Sequence, residues 1–334
     1  MPADEQFNLF PKAHVLARQG SMKRFARALL EALLTLWLLA TLCFALLHAA
    51  PGGPFDSEKS APPEVQAALA AQYRLDQSLP SQYAHWLGDI ARGDLGPSFQ
   101  YPDYRVSELI ALGLPVSAIT GGLALIIAFA FGIPLGLLAA RHRAHWIDRL
   151  LMGLSGLGLA VPKFVVAPLL VLLFAVTLHW LPGGGWDAST PMSLLRSALL
   201  PAIALALPNL AYCARLTRAG FLDVLSSDYL RAARARGLPE SRVLLVHALP
   251  PALLPVIAWL GPALINIVTG SAVVEQVFGI PGMGRYFVQG ALNRDYTLVL
   301  GVVLVVGALI VLINALTDAL RASIDPRLRD AESA

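Results

Sequence analysis

Residues 228–250 read DYLRAARARGLPESRVLLVHALP and place four arginines between two long apolar runs. Asp228 favours the first turn of a helix, because carboxylates are stabilised at helix N-termini, and Ser227 before it predicts an N-cap. Gly237 suits a left-handed helix end, and Pro239 suits the first turn of a second helix. The stretch therefore predicts a basic helical hairpin that leads into a membrane-length segment.

The apolar residues around this hairpin are concentrated in blocks. Of the 334 residues, 56% are hydrophobic and 14% are charged, whereas a soluble domain has about 25% charged residues. A helix needs about 20 apolar residues to cross the hydrocarbon core of a bilayer. Six blocks approach or exceed that length, the fourth at the lower limit: 28–47, 114–140, 150–180, 198–214, 252–274 and 297–317. We therefore expect an all-α polytopic membrane protein with six transmembrane helices.

The distribution of lysine and arginine predicts the orientation, because cytoplasmic loops are enriched in both. With a cytoplasmic N-terminus, 17 of the 25 basic residues fall in the inner segments 1–27, 141–149, 215–251 and 318–334. The outer loops 48–113, 181–197 and 275–296 then hold seven. We expect both termini to be cytoplasmic.

The outer loops have helical and turn-like patterns. In the first loop, residues 62–76 and 82–93 have the spacing of two short helices. The glycine-rich stretch 181–191 is typical of a turn. The third loop, 275–296, is too polar to span a membrane, and we expect it to re-enter the membrane or to pack over the mouth of a cavity.

Several kinds of catalytic and cofactor site are missing from the sequence. It contains neither HExxH nor GxSxG, and none of its four lysines follows a glycine, as a phosphate-binding P-loop requires. Cys43 and Cys213 lie in different apolar blocks and predict neither a disulfide framework nor a metal site. No stretch interleaves basic and aromatic residues as a nucleic-acid partner would require. We expect no enzyme activity and no cofactor, so any ATP must bind another subunit.

A few polar residues lie inside the apolar blocks and are candidates for lining a transport pathway: Lys163, Asn209 and Asn266. Polar groups within a membrane are costly and often functional. Lys163 has two interpretations. Its side chain extends to the inner membrane surface, or its charge lines a path for anionic groups. Several blocks also contain proline, which is typical of broken helices around a cavity but is also common in membrane helices.

The hairpin resembles the EAA loop of bacterial ABC importer permeases. The family pattern is Glu-Ala-Ala, three residues, Gly, nine residues, Ile, one residue and Leu-Pro. The matching residues are Ala232, Ala233, Gly237, Leu249 and Pro250, whereas Arg231 and His247 replace the Glu and the Ile. Both departures are typical of the oligopeptide-transporting (OppBC) branch. The resemblance extends from about Met22 to Arg329 and includes LLHAAPGGPF, GDLGPSFQYPDY, HWLPGGGW, GIPGMGRYFVQGALNRDYTLVL and DPRLR. Lys163 departs from the branch, in which a small residue is usual.

The resemblance implies a type I (MetI-like) permease fold with a short helical periplasmic loop after the first helix. It divides the chain into a polar extension 1–21, a first helix and outer loop 22–113, a five-helix core 114–320 with the coupling loop 220–251, and a tail 321–334. The implied partners in the bacterial inner membrane are a homologous second permease subunit, two ATP-binding subunits that contact the EAA loop, an extracytoplasmic peptide-binding protein, and lipid.

Other interpretations of the sequence remain open at this point. The permease could serve an importer of dipeptides, nickel or another small solute. On physical grounds alone, the hairpin could be a solvated basic loop that only satisfies the charge rule for cytoplasmic loops. A membrane-embedded enzyme and a passive channel are less favoured, because catalytic patterns are missing and the coupling loop is present.

Overall fold

The computed structural model describes the backbone of residues 11–49, 64, 71 and 73–324, and the side chains of residues 27–49, 64, 71 and 73–319. The chain divides into two compact units, residues 1–51 and 52–334. The first unit contains one long helix, α1 (Pro11–Ala49). The helix predicted over residues 62–76 lies almost entirely outside the described residues.

The second unit is helical wherever the structure describes regular elements. Two π-helical turns follow α5 and α8, at Val171–Thr177 and Val243–Ala248. The helices in chain order are α2 (Leu79–Ala91), α3 (Val106–Arg141), α4 (Trp146–Ala160), α5 (Lys163–Leu170), α6 (Pro191–Leu225), α7 (Asp228–Ala235), α8 (Glu240–Arg242), α9 (Leu249–Ala252), α10 (Leu254–Ala258), α11 (Leu260–Phe278), α12 (Met283–Leu292) and α13 (Tyr296–Ile324).

Six helical segments among the described residues are long and apolar enough to cross a membrane, which agrees with the predicted fold class. They are Arg27–Ala49, Val106–Arg141, Pro191–Leu225, Glu240–Ala258, Leu260–Phe278 and Tyr296–Ala319. The second begins eight residues before the apolar block at 114. The fourth apolar block, at the lower limit by sequence, lies within the 35-residue helix α6.

The third apolar block is a bent pair of helices and not one straight span. α4 and the helical run 163–177 meet at an angle of 103°. Pro162 explains the break, because proline disfavours helical backbone in the residue before it. Val161 is accordingly extended, with φ −81° and ψ 121°.

Helices α3 and α6 form the centre of the second unit and pack through small residues. A Cβ atom on Gly136 of α3 would lie 2.4 Å from the Ala214 carbonyl oxygen of α6. A Cβ on Gly132 would lie 2.9 Å from Cys213. Small residues allow membrane helices to approach this closely, so α3 and α6 are in close backbone contact along this stretch.

The loops of the second unit gather at two opposite ends. At one end, Gly185 donates its backbone N–H to the Phe278 carbonyl at 2.8 Å, and the Thr297 hydroxyl donates to the Pro97 carbonyl at 2.6 Å. The turn between α3 and α4 and the hairpin at 228–250 lie at the other end. This is the grouping of loops that the predicted topology requires. The first group is hereafter the outer end and the second the inner end.

The third outer loop folds over the outer ends of other helices. The side chains of Ile280 and Met283 are buried, and Met283 packs with Leu109 of α3 and Leu298 of α13. Residues 283–292 form the short helix α12. In the first outer loop, α2 corresponds to the short helix predicted over 82–93.

Candidate functional site

The hairpin begins at Ser227, where the predicted position of the helix cap is confirmed and the predicted side-chain bond is wrong. Ser227 is extended, with φ −73° and ψ 147°, and α7 starts at the next residue. Its hydroxyl donates to the Val224 carbonyl at 2.6 Å instead of accepting from an amide of α7. The last carbonyls of a helix have no partner within it, so this serine completes the end of α6.

The first arm of the hairpin ends at Gly237, as the sequence predicts. Its φ is 79°, a left-handed conformation that costs roughly 1–2 kcal/mol for a residue with a side chain. Gly237 donates its N–H to the Arg234 carbonyl at 2.9 Å, and Leu238 donates to the Ala233 carbonyl at 3.4 Å. These two bonds form a Schellman motif, which reverses the chain towards Pro239.

One side of the hairpin is buried against the inner ends of the long helices. Leu230 of the first arm and Val243 of the second have no exposed surface. Both pack with Phe221 of α6 and Ala140 of α3 in one apolar cluster. Truncation of a fully buried leucine costs about 2–5 kcal/mol. The hairpin is therefore anchored to the helix bundle, which a loose solvated loop would not be.

The two alanines of the EAA-like pattern have different surroundings. Ala233 is half-buried and packs against the cluster around Leu230. Ala232 is exposed, and so are Tyr229 and Arg231 beside it. The open face of α7 therefore contains Ala232, whereas Ala233 belongs to the internal contact of the hairpin.

Two of the four arginines are paired within the hairpin. Arg234 donates to both carboxylate oxygens of Glu240, at 2.9 and 3.1 Å, and so joins the two arms. Arg231 pairs with Asp228. Exposed pairs of this kind contribute at most about 1 kcal/mol. The other two, Arg236 and Arg242, are exposed and form no ion pair with any described residue.

The second arm contains the last two residues of the EAA-like pattern. Leu249 packs against the cluster, and Pro250 is exposed. Leu249 donates its N–H to the Leu244 carbonyl, five residues back, as in a π-helix. Pro250 and Pro251 cannot donate hydrogen bonds, and unmet carbonyls of this kind favour a locally widened turn.

The three candidate pathway residues do not lie together. Asn209 on α6 is 1% exposed, and its Nδ2 donates to the Leu205 carbonyl at 2.9 Å. It therefore lies among the packed helices of this chain and not on an open face. Lys163 and Asn266 do meet. The lysine Nζ donates to the asparagine Oδ1 at 2.7 Å and to its backbone oxygen at 3.2 Å.

A buried carboxylate anchors the third outer loop. Glu275 of α11 has no exposed surface. Its Oε1 accepts from the Ser117 hydroxyl of α3 at 2.6 Å, and its Oε2 accepts from the Arg285 backbone N–H at 3.0 Å. A Cβ on Gly282 would lie 2.3 Å from the carboxyl carbon. Glu275 thus binds the start of α12 to α3, a role that the sequence alone did not predict.

A second buried carboxylate, Asp295, joins two outer loops. It accepts from the Ser98 hydroxyl, and from the backbone N–H groups of Gln100 and Leu298 at 3.0 Å each. Asp295 has no exposed surface. The stretches GDLGPSFQYPDY and GIPGMGRYFVQGALNRDYTLVL contain both sides of this contact, and they were the available signal for it.

At the inner end, a bidentate ion pair joins α4 to α6. Arg218 donates through Nε and one terminal nitrogen to the two Asp148 oxygens, at 2.6 and 2.7 Å. The Asp148 side chain is only 6% exposed. The backbone N–H of Ala144 also donates to this carboxylate, at 3.1 Å. The pair fixes the α3–α4 turn beside the hairpin, and no sequence pattern pointed to it.

Comparison with known proteins gives one consistent family. The family model described as "Binding-protein-dependent transport system inner membrane component" matches residues 132–330. The oligopeptide transport system permease protein OppB of Escherichia coli (strain K12) is 48% identical over 309 residues, which cover 92% of this chain and 99% of that protein. The dipeptide transport system permease protein DppB of Bacillus subtilis is 38% identical over 88% of this chain and 94% of that protein.

A solved structure shares the fold. A chain of the MetNI methionine ABC transporter, in an inward-facing conformation, aligns with a TM-score of 0.52 and 19% identity. The alignment covers 66% of this chain and 97% of that chain. The likeness supports the predicted MetI-like arrangement of helices.

Proposed function

Because the chain belongs to the family of binding-protein-dependent transport system inner membrane components, we propose that it is the membrane-spanning permease subunit of an ATP-driven importer of oligopeptides. The support for peptides is the 48% identity to an oligopeptide permease over nearly the whole length of both chains. A dipeptide importer is a weaker alternative, with 38% identity to a dipeptide permease. An importer of nickel or of another small solute has no matching relative among those compared above.

The observation that best supports coupling to ATPases is the anchored hairpin with one open face. Leu230 and Val243 hold it on the inner ends of α3 and α6, while Ala232 lies open on the other side. A force on that face would reach the long helices directly. We assign ATPase coupling to the EAA-like residues, with Arg231 and Ala232 in the contact, Ala233 and Leu249 anchoring it, and Gly237 and Pro250 shaping it.

The partners follow from the same assignment. A homologous OppC-like permease subunit would complete the pathway, two OppD- and OppF-like subunits would bind and hydrolyse ATP, and an OppA-like binding protein would deliver the peptide. The chain is an inner membrane component. We place its termini and the hairpin in the cytoplasm, because the hairpin and the basic α3–α4 turn share one end of the helix bundle.

The transport assay uses the complex reconstituted into vesicles together with its partner subunits and binding protein. We expect uptake of a labelled pentapeptide that requires both ATP and the binding protein. Uptake of dipeptides or Ni²⁺ without uptake of the pentapeptide would support the alternative and contradict the oligopeptide assignment.

The coupling assignment is tested by Ala232→Trp with Ala188→Trp as the matched control. Both alanines are exposed, but Ala188 lies in the second outer loop. A bulky ring in a close interface destabilises it by roughly 1–3 kcal/mol. We expect Ala232→Trp to reduce co-purification of the ATPase subunits about tenfold at normal membrane levels, whereas Ala188→Trp leaves it unchanged. Equal retention in both variants, with normal uptake, would sink the assignment.

A further inference from the structure

Lys163 lies at the break in the third apolar block and reaches across to α11. It is the first residue of α5, directly after Pro162. Its ammonium contacts two oxygens of Asn266. A Cβ on Gly270 would lie 2.1 Å from Nζ, so the missing side chain at position 270 provides the notch that the ammonium occupies.

The notch lies at the middle of a candidate transmembrane helix. Gly270 is nine residues from Gly261 and eight from Phe278, which is about 12–14 Å from each at 1.5 Å per residue. Gly261 contacts Thr317 near the inner end, and Phe278 contacts Gly184 at the outer end. The side chain therefore does not extend to the inner surface, which was the simpler of the two sequence-based interpretations.

The positive charge of Lys163 has no carboxylate beside it. Lys163 forms none of the seven ion pairs found among the described residues, and both of its partners are neutral oxygens of Asn266. Asn266 is exposed and Lys163 is partly exposed, so this chain leaves the charge open on one side. A cation at this depth is costly against lipid and is found facing a bundle interior or a water-filled cavity.

We propose that Lys163 forms a cationic subsite in the transport pathway that binds carboxylates of the peptide in transit, at its C-terminus or on acidic side chains. This inference rests on the proposed function. Asn266 holds the ammonium between substrates through neutral oxygens, so a passing carboxylate displaces a dipole and not a competing charge. Such a site binds weakly enough to release its ligand, as conduction through a pathway requires.

The subsite makes passage depend on peptide charge. A solvated ion pair contributes about 0.2–1 kcal/mol, which corresponds to a rate ratio of roughly 1.5- to 5-fold at 1.4 kcal/mol per tenfold. We therefore expect the transporter to favour acidic over basic peptides of equal length by such a factor at the membrane step. Replacement of Lys163 by an uncharged residue of similar length removes the preference without removing transport.

The test measures uptake of labelled Ala-Glu-Ala, Ala-Ala-Ala and Ala-Lys-Ala into vesicles that contain the full complex. The variants are Lys163→Met, which removes the charge at similar volume, and Lys163→Arg, which keeps it. Gly270→Ala fills the notch and displaces the ammonium without removing it. All variants receive the same binding protein, so its own preference cancels in the comparison with the unmodified complex.

We expect Lys163→Met to lower the Glu-to-Lys uptake ratio about two- to fivefold, Lys163→Arg to preserve it, and Gly270→Ala to change it in the direction of Lys163→Met. An equal effect of Lys163→Met on all three peptides overturns the subsite. Loss of the second permease subunit from the purified Lys163→Met complex also overturns it, because the charge would then pair with that subunit. If the unmodified complex transports no peptide at all, the proposed function fails instead.

Discussion

Replacement of Leu230 by alanine is expected to release the hairpin from the helix bundle without unfolding the bundle. Leu230 has no exposed surface and contacts the cluster around Phe221 and Val243. A Leu→Ala change at such a site costs about 2–5 kcal/mol. At 1.4 kcal/mol per tenfold, even the lower limit raises the local opening constant by roughly 30-fold.

Hydrogen–deuterium exchange of the purified chain measures this opening directly. The amides of residues 228–238 should exchange at least 30-fold faster in Leu230→Ala, whereas amides in the centre of α3 and α6 should be unaffected. The matched control is Leu245→Ala, because Leu245 lies in the second arm and is 56% exposed. Surface substitutions usually stay within about 0.5 kcal/mol, so its exchange should change less than threefold.

The functional consequence of the same variant separates anchoring from mere packing. If the hairpin transmits force to α3 and α6, Leu230→Ala should keep some bound ATPase subunits but lose ATP-dependent peptide uptake. Equal exchange in Leu230→Ala and Leu245→Ala would refute the anchoring argument. Normal uptake despite fast exchange would show that coupling does not need the anchored arrangement.

Three further changes test the other contacts. Gly237→Val should accelerate exchange of α7, because the left-handed φ of 79° costs a β-branched residue at least about 1–2 kcal/mol; Gly237→Asn should have a smaller effect, and equal effects would contradict the reasoning. Gly282→Ala should lower the thermal unfolding temperature in detergent, because its Cβ would meet the Glu275 carboxyl at 2.3 Å; an unchanged temperature would show that the outer loop yields at no cost. Asp148→Ala should lower membrane levels through a loss of about 3–5 kcal/mol, and a paired Arg218→Met should recover most of it, since a buried charge without its partner is costlier than no charge; no recovery would mean that the cost is a lost contact other than the ion pair.

The hairpin and the membrane-length helices could be predicted because their signals are local. Gly237 and Pro239 determine a turn wherever they occur between helices, and each apolar block reports its own length. The break at Pro162 was harder to predict. Pro134 and Pro201 lie inside continuous helices, so a proline alone does not decide whether a membrane helix bends.

Contacts between distant parts of the chain were beyond sequence reasoning. Glu275 and Ser117 are 158 residues apart, and Ser98 and Asp295 are 197 apart. Each residue alone is an ordinary polar residue near a helix end. The different surroundings of Ala232 and Ala233 were also not predictable, because they depend on how the hairpin docks and not on the sequence of α7.

Helix α3 is the element through which the two ends of the second unit can influence each other. Ala140 contacts the hairpin cluster at the inner end, and Ser117 binds the Glu275 carboxylate at the outer end. The 23 residues between them correspond to about 35 Å of helix at 1.5 Å per residue. Packed helices move as bodies more readily than they deform, so a displacement of the hairpin that shifts α3 should also shift the base of the third outer loop. A pathway that closes at one end while it opens at the other needs a connection of this kind.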